Sequence, residues 1–386
     1  MIPYGRQEIT QADIDAVVTV LESDFLTQGP LAPRFEESVA GYCGARHAVA
    51  VNSGTSALHI ACLALGVGKG DIVWTSPITF VASANCALYC GATVDFVDID
   101  PRTYNLSVSC LSEKLSLAAR SGTLPRVVIP VHLAGQPCDM ASIHALSRQY
   151  GFRIIEDASH ALGGRYQREP VGNGRFSDIT IFSFHPVKII TTAEGGMALT
   201  NDEILANRMR RFRGHGITSD AAEMHPRPPE EIWNYQQIVL GFNYRMTDVH
   251  AALGISQMQR LDEFVARRRT IAGRYDDLLA SMPLVIPWQY PDSYSSYHLY
   301  LIRLRLDKIT GTHRSVYEAL QAAGINVNLH YIPVYRQPYY EQMGFSAGYC
   351  PEAERYYSEA LSIPIYPALT DAQQDWVVAT LARALS

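Results

Sequence analysis

The chain has no CxxC pair, no GxxxxGK[ST] loop, no GxGxxG and no long run of Lys and Arg. The first absence argues against a thiolate metal site or a dithiol redox centre. The second and third argue against a Walker-type nucleotide loop and a Rossmann dinucleotide site. The fourth joins a net charge of −6, from 32 Lys and Arg against 38 Asp and Glu, to argue against nucleic acid or an anionic membrane as partner. Charge is also locally scarce: residues 47–68 and 72–94 contain no Asp, Glu, Lys or Arg. Either stretch is long enough for a membrane span. Asn52-Ser53-Gly54-Thr55-Ser56 interrupts the first, however, and Thr75-Ser76-Pro77 and Ser83-Ala84-Asn85 interrupt the second. They read instead as buried strand, tight loop and buried helix. The opening MIPYGRQEIT lacks the apolar core of a secretory signal, and the seven cysteines are odd in number and scattered. The expected compartment is therefore reducing, the cytoplasm, with no metal site.

What is present is a globular composition, 47% hydrophobic over 386 residues. Short apolar runs alternate with helix-like segments between residues 47 and 200. The runs are Ala48–Val51, Ile72–Trp74, Val94–Val97, Val127–Val131, Arg153–Asp157, Asp178–Ser183 and Gly196–Thr200. Single helices between such runs require crossover connections, so an α/β fold follows, with a mainly parallel seven-stranded sheet covered on both faces. A long helix is expected from Thr247 through Arg269, leading into a smaller α+β domain. The division is 1–250 for a large domain, with 1–30 as an N-terminal segment near the active site, and 251–386 for the small one. Met224–Glu231, MHPRPPEE, reads as an exposed loop.

Ligands of open α/β sheets gather at the carboxyl ends of the strands, where three polar constellations fall. Asn52–Ser56 joins a buried strand to an apolar helix, and its amides and hydroxyls suit an anion. A plain Ser/Thr helix cap is the simpler alternative. Asp157 ends a buried strand, where a carboxylate needs a cationic partner or hydrogen bonds. It reads either as another helix cap or as counter-ion to a protonated heterocycle. Lys188, in Phe182-Ser183-Phe184-His185-Pro186-Val187-Lys188-Ile189-Ile190, is flanked by apolar residues. It is either a snorkelling surface lysine or a dehydrated amine able to form a Schiff base. Anion cradle, buried acid and dehydrated lysine together are what pyridoxal phosphate requires. Phe80 could cover the pyridine ring or simply fill the core.

The chain resembles the DegT/StrS-type sugar-nucleotide aminotransferases among the fold-type I pyridoxal phosphate enzymes. The resemblance runs through Ser23-Asp24-Phe25-Leu26-Thr27-Gln28-Gly29-Pro30, Ser76-Pro77-Ile78-Thr79-Phe80-Val81-Ala82 and Asp157-Ala158-Ser159-His160-Ala161-Leu162-Gly163. It continues through Phe182-Ser183-Phe184-His185, Lys188, Gly241-Phe242-Asn243-Tyr244-Arg245 and His330-Tyr331-Ile332-Pro333-Val334-Tyr335. Within that family it is most similar to the transaminases of pseudaminic acid biosynthesis.

The resemblance implies Lys188 as the lysine that joins the cofactor and shuttles protons, and Asp157 as the acid facing the pyridine nitrogen. It implies His160 beside the ring, Phe80 stacked on it, and Gly54, Thr55 and Ser183 on the phosphate. Asn243 would reach the phosphate of a neighbouring subunit, giving a homodimer with shared sites. Tyr4, Leu26, Thr27, His330 and Tyr331 would lie near the sugar nucleotide, and Arg245 would hold a carboxylate or phosphate. The implied reaction moves an amino group from L-glutamate to C4 of a UDP-linked 4-keto-6-deoxy-N-acetylhexosamine. Another nucleotide-linked keto sugar, a dehydratase and a non-catalytic sensor or partner protein are the alternatives. Dehydratase relatives carry histidine in place of the lysine, so Lys188 favours transfer.

Overall fold

The computed structural model describes residues 1–226, 228 and 230–386, so Arg227 and Pro229 of the Pro-rich loop lie outside the described residues. The short apolar runs form seven strands: β1 His47–Val51, β2 Ile72–Thr75, β3 Thr93–Phe96, β4 Val127–Ile129, β5 Arg153–Asp157, β6 Ile179–Ser183 and β7 Gly196–Thr200. They hydrogen-bond in the order β1-β7-β6-β5-β4-β2-β3. The sheet is mainly parallel, as expected, but β7 runs antiparallel to both β1 and β6.

The period-two alternation of a strand decides which residues meet which helices. Val49, Val51, Ile155, Ile179, Ile181 and Ala198 face a core built with α3 (Gly54–Ala64) and α4 (Ala82–Tyr89). Their neighbours Ala48, Ala50, Phe182, Met197 and Leu199 face the opposite side, where Phe35 and Val39 of α2 (Leu31–Cys43) pack. Trp74, Val128 and Ile154 extend that second layer against α5 (Val108–Ser121) and α6 (Met140–Tyr150). α7 (Glu203–Arg213) adds Leu205 and Met209 to the α3 side.

The expected single helix from Thr247 to Arg269 is two helices, α8 (Asp248–Met258) and α9 (Leu261–Leu279). The break has a tertiary cause. Arg260 leaves helical geometry and places Nη2 2.5 Å from Asp13 Oδ2, while Ser256 and Gln257 donate to the same carboxylate at 2.7 and 2.9 Å. Burial pushes the Asp13 carboxyl up, but these donors with Thr10 and the Arg260 charge bring it below its usual range. Asp13 belongs to α1 (Gln11–Leu21), which the sequence reading did not anticipate, nor did it anticipate α2.

Three further strands, β8 Leu284–Val285, β9 Tyr300–Leu304 and β10 Ala360–Ile363, form an antiparallel sheet in that order. Tyr300 and Ile302 pack with Tyr275 of α9, Val316 and Leu320 of α10 (His313–Ala322), and Val377 and Leu381 of the last helix (Asp371–Leu385). Leu301 and Ala360 join the core beside α3 and α4 instead. The loops around β9 are thereby fixed against the carboxyl ends of the large sheet. Among the described residues, no helix is long and apolar enough to cross a membrane.

Candidate active site

The polar constellations converge on one cavity of about 920 Å³ at the carboxyl ends of β1, β5 and β6. Ser53 caps α3: its backbone is extended and its Oγ accepts the Ser56 N–H at 3.1 Å. The simple capping role is therefore real. It leaves the next two amides, Gly54 and Thr55, without acceptors among the described residues, at the positive end of a helix. Across from them stands Ser183, the last residue of β6. A Cβ at Gly54 would lie 3.0 Å from the Ser183 Cβ, so only glycine leaves this gap clear. The geometry is an anion cradle of amides and hydroxyls.

Asp157 ends β5, and the alternation of that strand separates it from Glu156. Glu156 turns to the other side, 2.7 Å from His132 Nε2, with Ser177 and Thr180 as further donors. Burial raises its carboxyl, and those hydrogen bonds with the His132 interaction bring it below the usual range. Asp157 faces the cavity. Its Oδ2 accepts from Ser83 Oγ at 2.6 Å and its Oδ1 from the Ser159 N–H at 3.1 Å. Ser83 in turn lies 2.8 Å from Thr79 Oγ1, and both hydroxyls are buried. The carboxylate plane is fixed from behind.

Lys188 lies on the connection between β6 and β7 and lines the same cavity. Burial lowers its amine from 10.5 to about 8, and the Asp157 charge pulls back in the other direction. Its side chain is half-buried and turned to the cavity, which favours the dehydrated amine over a snorkelling surface lysine. Phe80 is not a core aromatic: it is 57% exposed and lines the cavity, its ring centroid 6.4 Å from that of Tyr331.

His160, Tyr4, His330 and Tyr331 complete the wall. His330 Nδ1 lies 2.7 Å from Ser362 Oγ and its ring 5.2 Å from Tyr4. Burial, and then the Lys188 charge, lower the His330 imidazole to about 3. Leu26, Thr27, Asn243 and Arg245 are not brought into this cavity. Leu26 and Thr27 sit on an exposed strip beside the start of α8, bonded through backbone to Asp248 and Thr247. The Asn243 side chain is exposed, and Arg245 bridges Val51 through its backbone.

Sequence reasoning missed Ser83 and His298. The Asp157 carboxylate that Ser83 meets and the His160 ring beside His298 lie far away in sequence, so no local pattern marks either residue. His298 Nδ1 and His250 Nδ1, both on the cavity wall, are buried without a partner among the described residues. Such atoms suit a cavity that holds a polar ligand.

The family described as DegT/DnrJ/EryC1/StrS aminotransferases matches residues 7–382. The chain belongs to this family. It is 38% identical to the spore coat polysaccharide biosynthesis protein SpsC of Bacillus subtilis over 98% of this chain and 95% of that one. It is 37% identical to the UDP-4-amino-4,6-dideoxy-N-acetyl-beta-L-altrosamine transaminase of Campylobacter jejuni, over 100% and 98%. The fold matches that of Helicobacter pylori PseC, an aminotransferase involved in the biosynthesis of pseudoaminic acid, with a TM-score of 0.91 and 29% identity over 100% and 99% of the two chains. The family member is a pyridoxal phosphate-dependent aminotransferase, and a sugar aminotransferase of the same fold from Streptococcus pneumoniae is solved in its PLP form. The residues present fit that cofactor: the Gly54–Ser183 gap takes a phosphate, Asp157 offers a fixed carboxylate, and Lys188 a dehydrated amine.

Proposed function

We propose that this aminotransferase moves an amino group from L-glutamate to C4 of a UDP-linked 4-keto-6-deoxy-N-acetylhexosamine, in the making of a pseudaminic acid-type sugar. The observation that carries the reading is the convergence of the α3 amides, Asp157 and Lys188 on one cavity, whose far wall is aromatic and imidazole-rich. The named transaminase of Campylobacter jejuni, similar over its full length, supports the sugar assignment.

Gly54, Thr55 and Ser183 would hold the cofactor phosphate, and Phe80 and His160 would lie at its ring. Asp157, oriented by Ser83 and Ser159, would keep a proton on the ring nitrogen. When bound, pyridoxal phosphate supplies an electron sink for the carbanion at the amino-bearing carbon. Lys188 removes the proton from Cα of glutamate and later delivers one to C4 of the sugar, which a dehydrated amine near neutrality can do in both directions. Tyr4, His330 and Tyr331 line the sugar side, with Leu26, Thr27 and Arg245 farther out toward the nucleotide.

The active unit is a homodimer in which Asn243 reaches the partner's phosphate site. The exposed apolar residues Ile232, Trp233 and Leu240, just ahead of Asn243, support a covered surface there. Seven unpaired, mostly buried thiols fit the cytoplasm.

The test is glutamate-dependent formation of 2-oxoglutarate with bleaching of the visible absorption, followed by a panel of nucleotide-linked keto sugars with product stereochemistry. No 2-oxoglutarate from cofactor-loaded protein would refute the transfer. Amination of a different keto sugar alone would replace the acceptor. A deoxy sugar without amine would mean dehydration.

A further inference from the structure

The tautomer of His160 can be read from its neighbours. Its Nδ1 accepts the Ala134 backbone N–H at 3.2 Å, so that nitrogen carries no proton. Burial, helped by the Lys188 charge, holds the imidazole well below its usual range and therefore neutral. The single ring proton must sit on Nε2, which lies 3.2 Å from Tyr331 Oη. Nε2–H donates to the phenol oxygen, and the phenol proton has to point elsewhere. Tyr331 Oη has no other partner among the described residues. Its side chain lines the cavity together with Lys188, Asp157 and Phe80. Burial raises the phenol far above its usual value, so Tyr331 keeps its proton.

We propose that Tyr331 is an aimed hydrogen-bond donor to the C4 oxygen of the acceptor sugar, and that His160, pinned by Ala134, is the positioning residue that aims it. The inference rests on the functional reading above and adds to it a chemical requirement: an oxygen acceptor at the reacting carbon. A carbonyl oxygen, which only accepts, is the best match to a hydroxyl whose proton has nowhere else to go. The backbone amide of Ala134 thus sets the polarity of a relay that ends on substrate.

Two measurements test it. Calorimetry on cofactor-loaded protein compares an unreactive UDP-N-acetylhexosamine bearing a C4 hydroxyl with its 4-deoxy counterpart. One hydrogen bond predicts a roughly five- to tenfold preference for the C4 oxygen in the unaltered protein. Tyr331→Phe should reduce that preference to within about twofold, and so should His160→Leu. His160→Gln retains it, because the amide can accept from Ala134 and donate to Tyr331. A preference that survives Tyr331→Phe overturns the inference, and one lost in His160→Gln removes the positioning role. Separately, ¹⁵N-histidine spectra of cofactor-free protein should show His160 as the Nε2–H tautomer around neutral pH. The Nδ1–H tautomer would overturn the aiming whatever the substrate. Failure of the unaltered protein to bind either sugar would instead bring down the functional reading.

Discussion

The desolvated lysine makes a prediction about stability that does not depend on turnover. In an unfolded chain Lys188 holds its proton up to a pH near 10.5, whereas in the folded protein it releases it near 8. Between those values the unfolded state binds more protons, so folding stability rises with pH there. Below about 8 both states are protonated and the folded protein bears the full cost of a buried ammonium. The full shift corresponds to at most ~3 kcal/mol at pH 7 and ~1.4 kcal/mol at pH 9.5. Water in the cavity screens part of it, leaving roughly 1–3 kcal/mol at pH 7. Lys188→Met keeps the length of the side chain and removes the charge. Cofactor-free Lys188→Met protein should therefore be more stable than the unaltered chain at pH 7. With an unfolding entropy of ~2.1 cal/mol/K per residue, the apparent Tm should rise by about 1–4 °C. The gain should shrink to less than half of that at pH 9.5. Thermal melts of both proteins, stripped of cofactor and run side by side, measure it. Equal Tm values at both pH values, or a gain that grows with pH, would mean that Lys188 is a solvated surface lysine.

Two further outcomes follow from distances around the same cavity. Ser83→Ala leaves Asp157 Oδ2 and the Thr79 hydroxyl without their shared partner, so cofactor-free protein should lose ~1–3 kcal/mol; an unchanged melt would show that the carboxylate does not depend on this hydroxyl. Gly54→Ala should fold normally, since the first turn of a helix accepts alanine, yet its Cβ would crowd Ser183 and weaken pyridoxal phosphate binding about tenfold. Fluorescence titration of cofactor-free protein reads that affinity, and no change would remove Gly54 from the cradle.

The seven strands were legible because each falls on a short, largely apolar run beside turn or polar residues, and burial on both faces of a mainly parallel sheet demands such runs. α1 was not, although Thr10 and Asp13 form a capping box at its start. Its outer face carries exposed Ile14, Val18 and Leu21, which blurs the amphipathic pattern. The break between α8 and α9 was illegible because apolar spacing continues smoothly through it, and its cause is a salt bridge to a residue 247 positions away. The acid, the lysine and the cradle could be proposed from sequence because each sits at a strand end in unusual local company. Ser83 and His298 could not, because their meaning lies only in what they face.

The antiparallel strand explains why the cradle closes. β7 lies between β1 and β6, and its first residue, Gly196, pairs with Val51 on one side and Ser183 on the other. A Cβ on Gly196 would come 2.3 Å from the Ser53 carbonyl oxygen and 2.6 Å from the Gly54 nitrogen. The backbone of α3's first turn therefore rests directly on this glycine. Any side chain at 196 would push the first turn, with its free amides, away from the cavity. The loop that carries Lys188 ends at that same residue. One glycine thus sets the distance between the phosphate amides, the Ser183 hydroxyl and the end of the lysine loop. Its importance lies in the approach of two backbones, which side-chain chemistry in the sequence does not report.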